Sequence, residues 1–407
     1  MVTLADIQSA RERVKDGIVT TPVVPALALR ERLPCNLFIK LENTQRTGSF
    51  KDRGALNRLL DLSPEERKRG IVTASAGNHA QAVAYHGQRL GVPVEVVMPE
   101  LTPLVKVSNT RHFGAGVRFH GATLSDSMVE ARRIEKEENR ILVHAFDDDR
   151  VIGGQGTIGL ELLEQLPSLT AVIVPIGGGG MISGIATAIK SQRPDVRIFG
   201  VEASAAASAM ASRKAGSPVH IETSETIADG IAVKRVGDRT FPIIEKYVDD
   251  IVAVDEGQIA SAVHLLLEHE KVLAEGAGAT PLAALVAGLL PLKPEDNAVM
   301  VLSGGNIDVN LVERIISRGL VNDGRMARLR VTVRDRPGYL ARLATYVAEE
   351  GANVLDVFHS RAFADIGVRD VEIELFLETR GHDHMKAVVA RLEREGMPVQ
   401  LNPGTKF

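Results

Sequence analysis

Thr47-Gly48-Ser49-Phe50-Lys51-Asp52-Arg53-Gly54 is the stretch on which the interpretation of this chain turns. It places one lysine directly after an aromatic ring, at the start of the helix-favouring residues 55–60. A lysine held in a partly apolar pocket loses solvation, so the pKa of its amine falls and it can act as nucleophile or base near neutral pH. A Phe-Lys pair alone is more often a core aromatic residue beside a solvated charge. Other parts of the sequence must therefore show whether this lysine is reactive.

Three further segments share one pattern, in which small and polar residues directly follow a short apolar run. They are Ser75-Ala76-Gly77-Asn78-His79-Ala80-Gln81 after residues 71–73, the glycines 177–180 after residues 171–176, and Ser303-Gly304-Gly305-Asn306 after residues 298–302. Such runs predict buried strands, and ligands in open α/β sheets bind where these strands end. From residue 37 to about 294 strand-like and helix-like segments alternate, which predicts parallel sheets covered by helices.

In this order, these motifs resemble those of the threonine dehydratases (threonine ammonia-lyases). That group belongs to the tryptophan-synthase-β-like, fold-type II family of pyridoxal-phosphate enzymes. The resemblance covers roughly residues 5–318 and includes a further matching stretch, Thr226-Ile227-Ala228-Asp229-Gly230-Ile231-Ala232-Val233. It implies an α/β fold with parallel-type sheets in two subdomains, the smaller formed by about residues 45–145 and inserted in the larger. It also implies pyridoxal 5'-phosphate as the cofactor.

The resemblance assigns roles to the residues of these motifs. Lys51 would hold the cofactor through a Schiff base and, when displaced by an incoming amino acid, take the α-proton. Phe50 and Gly230 would lie on the two faces of the cofactor ring. Asn78 would contact its phenolic oxygen, and the hydroxyl of Ser303 its pyridine nitrogen.

The glycine run also has a direct physical interpretation. Four residues without Cβ let consecutive N–H groups converge on a phosphate, at the positive end of the helix that begins near residue 181. A flexible linker is the usual alternative for such a run, but here an apolar strand precedes it and helical spacing follows. The predicted phosphate-binding residues are Gly177, Gly178, Gly179, Gly180 and Met181.

The segment from Ser75 to His79 is expected to bind the substrate. By the resemblance, the substrate carboxylate would be held by side-chain and backbone donors of Ser75, Gly77, Asn78 and His79. For His79 alone, a satisfied structural histidine is an equal alternative. Ala76 distinguishes close relatives, because serine racemases of this family carry a serine here that serves the opposite face of the substrate carbon. A methyl group cannot transfer a proton, so the sequence predicts one-sided elimination.

The implied activity is that of a pyridoxal-phosphate-dependent lyase. It would convert L-threonine to 2-oxobutanoate and ammonia by α,β-elimination of water, with L-serine to pyruvate as a side activity. A dehydratase or racemase of the same fold acting on serine or 3-hydroxyaspartate stays open as an alternative. An alternative of another class is a non-catalytic amino-acid sensor, which would have no use for Lys51, the glycine run and Ser303.

Two other patterns are weaker. Gly154-Gln155-Gly156-Thr157-Ile158-Gly159 matches the dinucleotide fingerprint by letter, but residues 147–150 before it are not a buried strand, so we interpret it as a glycine-rich helix entry near the cofactor pocket. The cation site of some family members combines a glutamate, a backbone carbonyl and an aspartate. Glu202 and Ala206 match the first two, but Ser208 replaces the aspartate. Loss of a carboxylate weakens a site for a hard cation, so no metal is predicted.

The pattern changes after residue 318. A polar, turn-rich linker at residues 319–327 separates a catalytic domain of residues 1–318 from a terminal domain of residues 328–407. The latter has βαββαβ order, with the alternating Val371-Glu372-Ile373-Glu374-Leu375 as one strand, and is therefore ferredoxin-like. With Asp335-Arg336-Pro337-Gly338 between strand and helix, it resembles an ACT domain, a module that often binds amino acids.

The expected allosteric positions in this ACT-like domain are Gly338 and Asn353. Isoleucine or valine is the natural effector if threonine deamination opens isoleucine biosynthesis. The enzyme could equally serve threonine breakdown, and the domain could instead only dimerise the protein.

Composition limits the partners. At 407 residues the chain is long enough for two or three domains, and its net charge of −4 gives no broad attraction for nucleic acid or anionic membranes. No uncharged apolar run approaches the roughly 18 residues of a membrane span. Cys35, the single cysteine, cannot form an internal disulfide, which favours a reducing compartment and hence the cytoplasm. By family resemblance the chain is expected to form a homo-oligomer, a dimer or tetramer.

Overall fold

The computed structural model describes residues 1–360 and 367–401, so residues 361–366 and 402–407 of the predicted terminal domain lie outside the described residues. The chain divides into two compact units, Met1–Ile307 and Asp308–Phe407, here called the N-terminal and C-terminal units. The division lies before the predicted end of the catalytic domain at residue 318. The reason is a helix that begins after Asp308, whose side chain accepts from the amide of Asn310 at 2.9 Å, and continues into the predicted linker.

The helices and strands of the N-terminal unit alternate along the chain, as expected. Its strands are β1 (Val23–Pro25), β2 (Asn36–Leu41), β3 (Ile71–Ala74), β4 (Val94–Met98), β5 (Gly116–Phe119), β6 (Ile141–Leu142), β7 (Ala171–Pro175), β8 (Arg197–Ala203), β9 (Asp250–Val254) and β10 (Asn297–Leu302). Its α-helices are α1 (Leu4–Val14), α2 (Lys51–Leu60), α3 (Pro64–Arg69), α4 (Asn78–Leu90), α5 (Leu104–His112), α6 (Leu124–Glu137), α7 (Asp149–Gln165), α8 (Gly180–Lys190), α9 (Ser208–Ala215), α10 (Phe241–Tyr247), α11 (Glu256–Leu265) and α12 (Gly276–Val286).

Two sheets organise this unit. The larger has the strand order β1-β2-β10-β7-β8-β9, in which β1 pairs antiparallel with β2 and the remaining neighbours pair in parallel. The smaller is parallel throughout, has the order β5-β4-β3-β6, and lies within the expected smaller subdomain. The predicted α/β fold is therefore confirmed. All five residues of β7 are buried, the pattern of a parallel strand covered on both faces.

Helix α7 packs closely against two other helices because several of its residues lack side chains. A Cβ on Gly154 would lie 2.6 Å from the carbonyl oxygen of Arg53 in α2, and a Cβ on Gly156 would lie 2.9 Å from that of Gly184 in α8. The fingerprint-like match at residues 154–159 therefore lies in the helix interior rather than at its entry. Its glycines allow helices to approach one another.

A buried group of four charged side chains, which we call the Arg53 cluster, joins α2 to its surroundings. The Arg53 guanidinium donates to Glu42 at 2.7 and 2.8 Å and to Glu161 at 2.6 and 2.9 Å. The ammonium of Lys40 donates to Glu161 at 2.5 Å. Two positive and two negative groups balance, which is the condition for keeping charges in a dry interior. The cluster ties together β2, α2, α7 and the short helical turn Glu42–Thr44.

The C-terminal unit has the predicted βαββαβ order, preceded by one helix. Its elements are α13 (Val309–Asn322), β11 (Met326–Arg334), α14 (Tyr339–Glu349), β12 (Asn353–Ser360), β13 (Asp370–Glu378), α15 (His382–Arg394) and β14 (Val399–Leu401). The strands form an antiparallel sheet in the order β12-β13-β11-β14. Within the described ranges, none of the helices has the length and apolar character needed to cross a membrane.

Replacing Arg53 with methionine tests the importance of the Arg53 cluster. The substitution leaves two buried carboxylates with only Lys40 to balance them, so we expect the free energy of unfolding to fall by about 3–5 kcal/mol. The control is Arg11→Met, which removes an exposed ion pair with Glu164 on α7 and should cost no more than about 1 kcal/mol. Urea unfolding followed by circular dichroism measures both, and equal losses would contradict the expectation.

Candidate active site

The loops singled out in the sequence meet where strands of the two sheets end. Gly177–Gly179 follow β7, residues 303–306 follow β10, and residues 75–77 follow β3 of the smaller sheet. The segment before α2 is bound directly to the loop after β10. Ser49 forms an antiparallel bridge with Gly304, and the amide of Phe50 donates to the carbonyl of Ser303 at 3.0 Å. Residues far apart in sequence therefore share one site.

Lys51 is the first residue of α2, and its side chain is half-buried in this site. Its ammonium donates to the carbonyl oxygen of Ala145 at 2.8 Å and lies 5.1 Å from the centroid of the Phe50 ring. Burial lowers the pKa of Lys51 to about 8, against a smaller opposing effect of the nearby Glu275 carboxylate. An appreciable fraction of this amine is therefore neutral, and so nucleophilic, near pH 7–8.

The glycine run is packed so closely that side chains are excluded. A Cβ on Gly178 would lie 2.2 Å from the ring of Phe146, and a Cβ on Gly177 would lie 2.9 Å from the Cα of Ile231. Gly179 has φ +89°, a left-handed conformation that favours glycine. The first amides of α8 lack acceptors within the helix, and no side chain caps them. The run therefore offers N–H donors at the positive end of a buried helix.

Residues that sequence reasoning missed hold this run in place. Thr240 donates its hydroxyl to the carbonyl of Gly178 at 2.7 Å, and the amide of Gly237 donates to the same oxygen at 3.2 Å. Phe146, which packs on the run, follows Ala145, whose carbonyl binds Lys51. The segment between β6 and α7 thus touches both the amine and the glycine run. No sequence motif in this segment indicated that it would contact the site.

Asn78, at the start of α4, is held by hydrogen bonds on both sides of its amide. Its nitrogen donates to both carboxylate oxygens of Glu275 at 2.9 Å, and its oxygen accepts from Asn306 at 2.8 Å. Burial raises the pKa of Glu275 to about 7, although the hydrogen bond from Asn78 opposes this. Glu275 was not identified from the sequence. The sequence feature that could have indicated Glu275 is an acidic residue directly before a helix that begins Gly-Ala-Gly.

The remaining residues of the Ser75–His79 segment differ in their surroundings. The hydroxyl of Ser75 accepts from the amide of Gly77 at 3.2 Å. His79 is buried, with Nε2 3.2 Å from the carbonyl oxygen of Val143. Burial, with a contribution from Lys51, lowers the pKa of His79 to about 3, so its ring is neutral. This hydrogen bond to the carbonyl of the residue directly after β6 favours the structural alternative for His79.

Gly230 and Ser303 lie at the same site. Ser303 is buried at the end of β10. Gly230 lies in the helical turn Asp229–Ile231, where a Cβ would come within 3.6 Å of a Glu275 oxygen. Met181 is buried in the first turn of α8. The predicted residues are therefore brought together around Lys51, while their individual roles stay predictions.

Glu202, the candidate cation ligand, caps a helix. Its carboxylate accepts from the amides of Ala209 and Met210 at 2.8 and 2.9 Å, at the start of α9. Burial raises the pKa of Glu202 to about 7, against these hydrogen bonds. The expected absence of a metal remains a prediction.

The C-terminal unit contains a pocket of its own, with a volume of about 280 Å³, at the turn between β11 and α14. Residues 333–340 line it together with His359, Val371 and Ile373. Gly338 is one of the lining residues and has φ +88°. Asn353 is not among the described residues that line the pocket, and its amide donates to Glu378 at 3.3 Å.

With this geometry established, comparisons with known proteins decide the family. The model described as "Pyridoxal-phosphate dependent enzyme" matches residues 14–304. The chain belongs to this family. The ACT domain model matches residues 327–396, so the predicted ACT domain and the predicted cofactor are both confirmed.

Individual relatives agree with this assignment. An L-threonine ammonia-lyase of Thermotoga maritima is 46% identical over 401 residues, covering 98% of this chain and 100% of the relative. The processed form of threonine deaminase isoform 2 from Solanum lycopersicum is 38% identical with a TM-score of 0.73, covering 77% of this chain and 86% of that chain. A serine racemase from Dictyostelium discoideum is also 38% identical, with a TM-score of 0.71, covering 76% and 99%.

The residues present fit pyridoxal 5'-phosphate. An aldehyde needs a neutral amine, which Lys51 supplies, and a phosphate needs a cradle of N–H groups, which the glycine run supplies. The buried Ser49 hydroxyl and the Nδ1 atom of His79 have no hydrogen-bond partner among the described residues. Buried polar atoms of this kind normally require a partner, and a polar cofactor can provide one.

A single methyl group in the glycine run should prevent cofactor binding. Gly178→Ala would place its Cβ 2.2 Å from Phe146, so either the ring or the run must move, and we expect affinity for pyridoxal 5'-phosphate to fall at least tenfold. Gly116→Ala is the control, since its Cβ would meet only the Val94 carbonyl at an ordinary 3.7 Å. Titration of the apoprotein, followed by visible absorbance, measures both affinities. Unchanged binding by Gly178→Ala would refute the proposed cradle.

Proposed function

We propose that this protein is a threonine ammonia-lyase, a carbon–nitrogen lyase that eliminates water from L-threonine to give 2-oxobutanoate and ammonia. L-Serine, converted to pyruvate, is a side substrate. The observation that carries the proposal is a half-buried Lys51 with a lowered pKa, surrounded by the cofactor motifs. The chain that bears it is 46% identical, over almost its whole length, to an L-threonine ammonia-lyase.

The cofactor would be held by residues already brought together. Lys51 binds the aldehyde, and the amides of Gly177, Gly178, Gly179, Gly180 and Met181 bind the phosphate. Asn78 contacts the phenolic oxygen, Ser303 the pyridine nitrogen, and Phe50 and Gly230 flank the ring. When bound, the cofactor supplies an electron sink for the charge that develops at the substrate α-carbon.

Lys51 is the base of the reaction. Once released by the incoming amino acid, its neutral amine takes the α-proton, and the low pKa caused by burial keeps a useful fraction of it unprotonated near pH 7–8. The β-hydroxyl leaves as water with one proton. The resulting enamine tautomerises to an imine, and water hydrolyses this imine to 2-oxobutanoate and ammonia. All atoms of threonine are thereby accounted for.

The Ser75–His79 segment positions the substrate and favours elimination over racemisation. Donors of Ser75, Gly77 and Asn78 bind the substrate carboxylate. His79 supports the segment through its hydrogen bond to Val143. Ala76 has no group that could return a proton to the opposite face of the α-carbon. This separates the proposed lyase from the serine racemase of similar structure.

Kinetics with the holoenzyme test this activity. We expect the specificity constant for L-threonine to exceed those for L-serine and 3-hydroxyaspartate, and D-serine to form far more slowly than pyruvate from L-serine. Lys51→Ala should lose both turnover and the yellow colour of the bound cofactor, because no other described amine replaces it at Ala145. A preference for 3-hydroxyaspartate would favour the rival dehydratase. A colourless wild-type protein would favour the sensor.

The ACT domain is proposed to regulate this activity by binding an amino acid, isoleucine or valine being the first candidates. The pocket at the turn before α14 supports the proposal, with Gly338 as the residue whose missing side chain leaves room for a ligand. Asn353 lies at the start of β12 and is retained as a second proposed position. We also propose a homo-oligomer, dimer or tetramer, located in the cytoplasm.

Regulation can be tested with two glycine variants at opposite ends of α14. Gly338→Ala would add a methyl group to the pocket, where no atom lies within 4 Å of the new Cβ. Gly351→Ala is the control, because it carries a similar φ of +79° and thus a similar backbone strain. We expect isoleucine or valine to inhibit the wild type and Gly351→Ala alike, and Gly338→Ala to need about tenfold more effector. A wild type that responds to neither amino acid would refute feedback control.

A further inference from the structure

Glu275 lies at the start of α12, but its side chain makes its hydrogen bonds outside this helix. It directly precedes α12, the position at which aspartate side chains commonly accept a hydrogen bond from the first amides of the helix. Asp148 does so before α7, and Asp255 before α11. No side-chain cap is formed at the start of α12. The Glu275 carboxylate, 5% exposed, is directed into the active site instead.

The target of this carboxylate is the amide of Asn78. The two distances from the Asn78 nitrogen to the carboxylate oxygens are equal, both 2.9 Å. Equal distances indicate one N–H group directed between the two oxygens, which leaves the second N–H of the same amide available to another acceptor. The cofactor's phenolic oxygen is such an acceptor.

Hydrogen bonding fixes the orientation of this amide from both ends. Asn306 donates to the carbonyl of Thr47 at 2.7 Å and to the oxygen of Asn78 at 2.8 Å. At the other end, the Asn78 nitrogen donates to Glu275. The two terminal groups, a backbone carbonyl and an ionised carboxylate, can only accept. Reversal of either amide would therefore place two acceptors, or two donors, against each other.

The space around the carboxylate is also restricted. A Cβ on Gly304 would lie 2.5 Å from a Glu275 oxygen, and a Cβ on Gly230 would lie 3.6 Å from it. The amide of Glu275 itself donates to the carbonyl of Gly304 at 3.0 Å. Glu275 is thus held between two loops of the site, and its carboxylate has little freedom to turn away from Asn78.

We propose that Glu275 is a positioning residue that holds the Asn78 amide with its nitrogen toward the phenolic oxygen of the cofactor. The inference rests on the proposed contact between Asn78 and the cofactor. Glutamine at position 275 would have nearly the same shape, but it could also donate a hydrogen bond. The orientation of Asn78 would then be determined from the Asn306 end alone, and the contact at its nitrogen would be weakened.

A double-mutant cycle tests this role by measuring the affinity of the apoprotein for pyridoxal 5'-phosphate. We expect Glu275→Gln to weaken binding about tenfold, which is about 1.4 kcal/mol, and to shift the visible absorbance of the bound cofactor. Asn78→Ala should weaken binding by a similar factor. Because Glu275 acts through Asn78, adding Glu275→Gln to Asn78→Ala should change the affinity no further. A purely structural role for Glu275 would give additive losses, and this would overturn the proposal.

Asp255→Asn is the matched control, since it also changes a carboxylate to an amide directly before a helix. Asp255 caps its own helix, so this change should leave cofactor affinity and absorbance unchanged. If Glu275→Gln does not fold, Glu275→Asp, with a carboxylate one methylene shorter, replaces it in the same cycle with the same expectation. Unchanged affinity in the Glu275 variant would overturn this role alone. A wild type that binds no cofactor would overturn the proposed function as well.

Discussion

The Arg53 cluster is the interaction on which the position of Lys51 depends. Arg53 lies two residues after Lys51 in the first turn of α2, and its guanidinium binds two buried carboxylates. Asp52, between them, accepts from Thr47 and from Nε2 of His86, all three being buried. Breaking a buried ion pair leaves an uncompensated charge, so the start of this helix cannot shift without a large loss of stability. The amine is thereby held in place at the Ala145 carbonyl.

Glycine serves two different purposes around this fixed helix. In the run 177–180 the missing side chains leave room beside Phe146 and expose N–H groups at the start of α8. In α7 the missing side chains allow α2 and α8 to approach the helix backbone. The two glycine-rich sequences look alike, but they differ in the secondary-structure element that precedes each of them. A buried strand leads into the run, whereas Asp148 caps α7 several residues before its first close glycine contact.

Features encoded by residues close together in sequence were predictable, whereas contacts between residues far apart in sequence were not. Asn78 and Ser303 stand in short motifs after apolar runs, and Lys51 stands in a motif before a helix-favouring run. These motifs, together with the family resemblance that they carry, were sufficient to predict one shared site. The alternation at residues 371–375 likewise predicted part of β13, whose burial alternates along its length. Glu275 and Thr240 act through contacts with residues far away in sequence, Asn78 and Gly178. No periodicity or spacing records such contacts, so only the folded chain reveals them.

Burial also sets the charge balance of the site. It lowers the pKa of Lys51 to about 8 and raises that of Glu275 to about 7, so the two values converge from opposite directions. At about pH 7.5 most Lys51 amines are still protonated and most Glu275 carboxyls ionised, and each charge favours the other. With His79 neutral, the Lys51 ammonium and the Glu275 carboxylate are the charges that stabilise one another in this site, and the same carboxylate accepts from Asn78.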